Sequence, residues 1–198
     1  NPLNALSTSL QNLEVEESEV ARQKYLDAAK RGVTRIGMIV QNLADAASLE
    51  DALAAEETEV IDLYNLVQNY IANCRTTRPD RDFNYQGINK GISTKVSDYR
   101  VEQLLDKLID NAIDFSDSGS TITVGINADA QNLTLFVTNH GPTIDENMVG
   151  SVFDSMVSIR ESNPDNRLHF GMGLYVVRII AERHGGSVRA TNLFDGKG

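Results

Sequence analysis

Three short runs in this 198-residue sequence combine polar side chains with small residues in ways that bear on ligand chemistry. The first is Asp110-Asn111-Ala112, in a stretch whose apolar residues recur at helical spacing. Asn111 falls outside that stripe, and its carboxamide oxygen suits a hard cation such as Mg²⁺ beside phosphates. The plain alternative is a solvated asparagine near a helix end. The second run is Asn139-His140-Gly141-Pro142, directly after an alternating apolar segment. Glycine there permits a tight turn that presents a polar side chain and backbone to a flat ligand. An ordinary strand-exit turn has the same composition. The third is His169-Phe170-Gly171-Met172-Gly173-Leu174, which opens a helical pattern. Two glycines let backbone N–H groups come close to a ligand, and a helix N-terminus favours anionic phosphates. Each run alone says little. In this order and across this spacing they are specific.

Several elements must position these runs. Val101, Leu104, Leu105, Leu108, Ile109 and Ala112 predict the clearest amphipathic helix of the chain, and Asn111 rides on it. Ile122, Val124 and Ile126 alternate, as do Leu133, Leu135 and Val137, predicting two half-buried strands around a turn at 128–132. Residues 58–62, 83–88 and 92–96 read as short strands, and 63–74 as a helix ended by Arg78-Pro79-Asp80. A helix is expected over 171–184 and a final strand around 187–193. Helices on one face of a mostly antiparallel sheet make an α+β sandwich. The stretch 139–170 has no period, and so long a loop inside a domain is more often functional than idle.

The first fifty residues follow another rule. Leu3, Leu6, Leu10 and Leu13 are spaced three, four, three. After an acidic break at 14–19, Leu26, Ala29, Val33, Ile36, Val40, Leu43 and Ala47 continue the spacing, the heptad seam of a coiled coil or four-helix bundle. Two helices cannot cover two such seams well, whereas two hairpins from two subunits would bury both. The alternative is a hairpin packed on its own downstream domain. Gly32 and Gly37 interrupt the second helix and mark either close packing or local flexibility. The expected division is a helical hairpin over 1–53, half of a dimeric four-helix bundle, and a second domain over 54–198.

Composition narrows the classes. Asp and Glu number 28 against 18 Lys and Arg, a formal charge of −10, and no basic cluster offsets it. Such a surface repels nucleic acid. Cys74 is the only cysteine, which excludes an intrachain disulfide and a cysteine-built zinc site and fits a cytosolic compartment. Apolar runs fall well short of the roughly 18 residues that suggest a membrane span, and no signal peptide opens the chain. The opening at Asn1-Pro2-Leu3 reads as a piece of a longer protein.

The whole pattern resembles the ATP-binding domain of sensor histidine kinases, members of the Bergerat-fold ATPase/kinase superfamily. Asn111 matches the N box of that family, Asn139-His140-Gly141-Pro142 its first glycine box, and Phe153 with Met156 its F box. Gly171-Met172-Gly173-Leu174 matches the second glycine box, followed by His184-Gly185-Gly186. Asn1-Pro2-Leu3 resembles the tail of the H box, which would put the phosphoacceptor His four residues before Asn1. The run at 153–158 is similar to sensor kinases associated with dedicated sortase systems of proteobacteria. The resemblance implies an α/β sandwich of the Bergerat type that binds ATP and Mg²⁺. It implies nucleotide contacts at Lys107, Asn111, Asp114, Phe115, Asn139, Gly141, Ile144, Phe153, Met156, His169, Gly171, Met172, Gly173 and Leu174, with Asn111 on the metal. Asn1 would position water for dephosphorylation of a response regulator.

Departures from the family pattern are instructive. Asn139 stands where Asp usually accepts the adenine amino group, and its amide oxygen can still accept. Asp114 replaces a usual Lys or Arg, and Lys107, one turn before Asn111, is placed to supply that charge. His169 stands where a further glycine is common. Lys107 also stands where the ATP-hydrolysing branch carries its water-activating Glu, which disfavours a gyrase-, chaperone- or mismatch-repair-type ATPase. The implied function is the cytoplasmic kinase core of an inner-membrane-anchored two-component sensor. It would be a homodimer through the hairpin, with a response-regulator receiver domain as partner and no nucleic acid. The other reading is a degenerate nucleotide-sensing or dimerisation module without kinase activity.

Overall fold

The computed structural model describes residues 2–54, 57–154 and 172–193, and it divides into two units, Asn1–Asp51 and Ala52–Gly198. In the first unit, α1 (Pro2–Val15) and α2 (Glu19–Ala54) are separated by three residues at the acidic break. There Glu16 Oε1 accepts the Ser18 N–H at 3.0 Å, and the Ser18 carbonyl accepts the Arg22 N–H at 2.8 Å to begin α2. The two helices touch closely at Gly32, where a Cβ would lie 3.2 Å from Leu6 Cβ. Gly32 therefore marks close packing, while a Cβ at Gly37 would meet nothing within 4 Å. Ala29 is buried and Leu6, Leu13, Leu26 and Ile36 are partly covered. Elsewhere on the seam Leu3, Leu10, Val33 and Val40 are exposed by 61%, 46%, 59% and 61%. The side chains of Leu43 and Ala47 lie outside the described residues.

The second unit opens with β1 (Glu59–Asp62) and α3 (Leu63–Thr77), whose N-cap Asp62 accepts the Asn65 N–H at 3.2 Å. Next come β2 (Asp82–Gly87), β3 (Ser93–Val96) and α4 (Asp98–Phe115). The remaining elements are β4 (Thr121–Ala128), β5 (Leu133–Thr138), α5 (Glu146–Val149) and α6 (Gly173–Arg183). Strands β1 and β3 form an antiparallel pair, and β2-β4-β5 form a mixed sheet. Alternation puts Ile122, Val124 and Ile126 of β4 into the core. They pack in one cluster with Val67, Ile71 and Cys74 of α3, Phe83 of β2, and Leu105, Ile109 and Ala112 of α4. Helix α6 packs against α4 and buries Val177, Ile179 and Ile180.

Three features differ from the sequence reading. Antiparallel pairing holds for β1–β3 and β4–β5, but β2 runs parallel to β4. The connection between them contains β3 and α4, a crossover long enough to return the chain in the same direction. No strand forms at 187–193 among the described residues. There the Asn192 side chain, rather than a backbone ladder, supplies the hydrogen bonds, to Ile144. Finally, the stretch after β5 contains α5, a single turn capped by Asp145, which accepts the Asn147 N–H at 2.9 Å. One turn is too short to display a hydrophobic period.

Candidate functional site

Helix α4 presents three chemically distinct faces. Val101, Leu105, Ile109 and Ala112 enter the core. Asp106 and Asp110, one turn apart, are held from α3 and its C-cap: the Tyr70 hydroxyl donates to Asp106 at 2.6 Å and Arg78 Nη2 donates to Asp110 at 3.0 Å. Burial, reinforced by the bond to Asp106, pushes the Tyr70 hydroxyl above its ordinary value, so it remains a neutral donor. With those carboxylates gripped, the next i,i+4 pair, Lys107 and Asn111, is turned about 100° round the axis. Both are half-buried. Lys107 lines a groove of about 290 Å³ with Tyr99, Glu102, Gln103 and Asp106.

The first glycine run is seated on the end of this helix. A Cβ at Gly141 would lie 1.8 Å from the Phe115 carbonyl oxygen. Glycine is thus required by the neighbouring backbone, a stronger reason than the turn the sequence suggested. The Asp117 N–H donates to the His140 carbonyl at 2.7 Å, a second tie between the same segments. Phe115 and Gly141 are thereby brought together, with Asn111 and Asp114 in the last turns of α4 and Asn139 at the end of β5. Three residues on, the Ile144 N–H donates to Asn192 Oδ1 at 2.9 Å and Asn192 Nδ2 donates to the Ile144 carbonyl at 2.7 Å. Beyond α5, Val152 is buried and Phe153 half-buried. Asp154 accepts from Arg178 Nη1 of α6 at 2.6 Å.

The third run begins α6. Helices α3, α4 and α5 each start under a side-chain cap from Asp62, Ser97 and Asp145. Helix α6 starts after Met172, which gives no side-chain cap. Its first N–H groups and the positive end of the helix dipole are suited to an anion. Among the described residues, the neighbour nearest to a Cβ at Gly173 would be the Lys107 stem, with Cδ at 4.0 Å. A cationic side chain and a helix start thus converge, the combination that phosphate oxygens recognise. Met172 is buried and Leu174 half-buried. Asn1, Met156, His169, Gly171 and residues 155–158 of the run after Phe153 lie outside the described residues.

At its other end α6 closes in a Schellman motif. The Gly186 N–H reaches the Ala181 carbonyl at 2.9 Å and the Gly185 N–H reaches that of Glu182 at 3.0 Å, with Gly185 at φ +75°. His184 bridges back to the cap of α4, accepting the Ser97 N–H at 3.1 Å. This bridge, Asn192 and the Tyr70–Asp106 and Arg78–Asp110 pairs are the site supports that sequence reasoning missed. Ser97, just before the apolar period of α4, carried an N-cap signal. The pairs between segments carried none. Among the described residues no group of three or more His, Cys, Asp or Glu could hold a metal ion, and no helix is long and apolar enough to cross a membrane.

A family model described as "Histidine kinase-, DNA gyrase B-, and HSP90-like ATPase" matches residues 97–198. Sensor protein ChvG of Rhizobium meliloti is 27% identical over 202 aligned positions, covering 98% of this chain and 35% of that protein. Sensor histidine kinase TrcS of Mycobacterium tuberculosis is 31% identical over 139 positions, covering 68% of this chain and 27% of that protein. The chain therefore spans about a quarter to a third of the length of these curated relatives. Among solved structures, histidine kinase ThkA in complex with response regulator protein TrrA matches with a TM-score of 0.61 at 18% identity, covering 98% of this chain and 55% of that one. The catalytic domain of ThkA matches with a TM-score of 0.57 at 22% identity, covering 70% and 90%. At these identities the structural likeness is one of fold.

Proposed function

The chain belongs to the family of histidine kinase-, DNA gyrase B- and HSP90-like ATPases, within it to the sensor histidine kinases, and on that premise we propose that it is the kinase core of a two-component sensor. ATP binds between the Asn111 face of α4 and the start of α6. Its γ-phosphoryl group passes to a His upstream of Asn1 and then to an Asp of a response-regulator receiver domain. The observation that carries this reading is the approach of the Lys107 stem to Gly173, at a helix start to which Met172 gives no side-chain cap. Lys107 and the first N–H groups of α6 bind phosphate oxygens. Asn139 and Ile144 face the base. The chemistry is positioning and electrostatic stabilisation, in keeping with phosphoryl transfer.

Asn111 would hold Mg²⁺ through its carboxamide oxygen, where the ion would neutralise phosphate charge. Mg²⁺ keeps waters and takes substrate phosphates as ligands, so one carboxamide oxygen suits it as the protein's share of the coordination. The hydrolytic branch of the family is disfavoured because Lys107 stands where that branch carries its water-activating Glu. Two hairpins pair into a four-helix bundle, supported by the exposed Leu3, Leu10, Val33 and Val40. The sensor is anchored in the inner membrane by parts outside this chain, which lies in the cytoplasm. Asn1 positions water for the reverse, phosphatase reaction, a role supported by the H-box resemblance alone.

The test is Asn111→Ala. Titration calorimetry should show Mg-ATP binding in the original protein and none in the variant, with unchanged thermal unfolding. Equal binding by both would overturn the assignment.

A further inference from the structure

We propose that Asn192 is a positioning residue for the base end of the nucleotide site, acting through Ile144. The inference rests on the nucleotide reading above. One carboxamide satisfies both backbone groups of a single residue: Oδ1 accepts the Ile144 N–H at 2.9 Å, and Nδ2 donates to the Ile144 carbonyl at 2.7 Å. A carboxamide carries the same donor and acceptor as a peptide unit, so Asn192 takes the place of a neighbouring strand at one point. That point matters because of its position in the chain. Ile144 follows Gly141, whose place is set by the Phe115 carbonyl, and precedes Asp145, the cap of α5. Upstream the turn is tied by the Asp117–His140 backbone bond, and downstream by the pair at Asp154 and Arg178. Asn192 ties its middle to a residue 48 positions later.

Two substitutions break the pair of bonds in different ways. Ala offers neither group. Asp retains acceptance from the Ile144 N–H but sets a carboxylate against the Ile144 carbonyl until it is protonated, when the acid O–H donates in place of Nδ2. This difference separates positioning from bulk stability.

The experiment compares the 198-residue chain with Asn192→Ala and Asn192→Asp. Hydrogen exchange should show the Ile144 amide protected in the original protein and exposed in Asn192→Ala, without nucleotide. Calorimetry should show ATP affinity falling about tenfold in Asn192→Ala. In Asn192→Asp the affinity should be low near neutral pH and recover as the solution is acidified towards the carboxyl range, about pH 4 to 5. The original protein, which has Asp145 in the same place, is the control for every other carboxylate. If the original chain fails to bind ATP, the nucleotide reading falls and takes this inference with it. If it binds and Asn192→Ala binds equally well, or Asn192→Asp shows no recovery beyond the control, Asn192 alone loses its role.

Discussion

His184 Nε2 accepts the backbone N–H of Ser97 at 3.1 Å, while His184 Nδ1 lies 2.7 Å from the Ile180 carbonyl. A backbone N–H can only donate and a carbonyl can only accept, so Nδ1 carries the proton and Nε2 is bare. The end of α6 is thereby joined to the buried cap of α4. Nitrogen-15 spectra should show His184 as the neutral Nδ1–H tautomer. His184→Ala should lower unfolding free energy by about 1–3 kcal/mol, the cost of removing the acceptor of a buried donor. Denaturant titration measures it.

Gly141→Ala places a methyl carbon 1.8 Å from the Phe115 carbonyl oxygen. Backbone must move, so stability should fall by about 1–3 kcal/mol or more, and ATP affinity with it. Gly150→Ala is the control, because its Cβ would meet nothing within 4 Å and its φ of −71° suits alanine. Chemical denaturation of both variants should separate them clearly.

The Tyr70 hydroxyl, raised by burial and by its bond to Asp106, favours the protonated form in the folded chain. Its contribution is complete below the unfolded phenol value of 10.0 and is lost as pH climbs from there towards the higher folded value. Stability should therefore decline above about pH 10, and Tyr70→Phe should flatten that decline. Part will remain, since burial also raises Tyr85. Thermal unfolding at stepped alkaline pH reads the difference.

Val33→Glu combined with Val40→Glu sets two carboxylates per chain on the open seam of the hairpin. In a paired bundle they would be buried without partners, which is strongly unfavourable. Sedimentation should show dimers for the original chain and monomers for the double variant. A monomeric original chain at high micromolar concentration would exclude pairing through these helices.

Elements with a repeating apolar signal are legible in the sequence. The stripe from Val101 to Ala112 gave α4, and the alternations at 122–126 and 133–137 gave β4 and β5. The glycine runs pointed to the residues that meet at Phe115 and Gly141 and at Lys107 and Gly173. What stayed hidden depends on partners distant in the chain. The parallel pairing of Phe83 with Ile122 leaves no local mark on either strand. Residues 187–193 carry strand-like composition, yet a strand exists only where a neighbour offers its edge, and here one side chain meets one residue. Gly141 stands in a turn-like run, but the carbonyl that demands glycine there belongs to Phe115, in another segment.

The family match starts at Ser97, yet β4, the middle strand of its sheet, has its parallel neighbour β2 at Asp82–Gly87. A protein trimmed to the matched residues would lose β2 and α3 together. One edge of β4 would then present bare N–H and C=O groups, and Ile122, Val124 and Ile126 would lose Val67, Ile71 and Phe83 as packing partners. Such an edge invites pairing with a second copy. The smallest soluble piece that retains the site must therefore begin upstream of β1, and a cut at Ser97 should yield inclusion bodies instead of a nucleotide-binding domain.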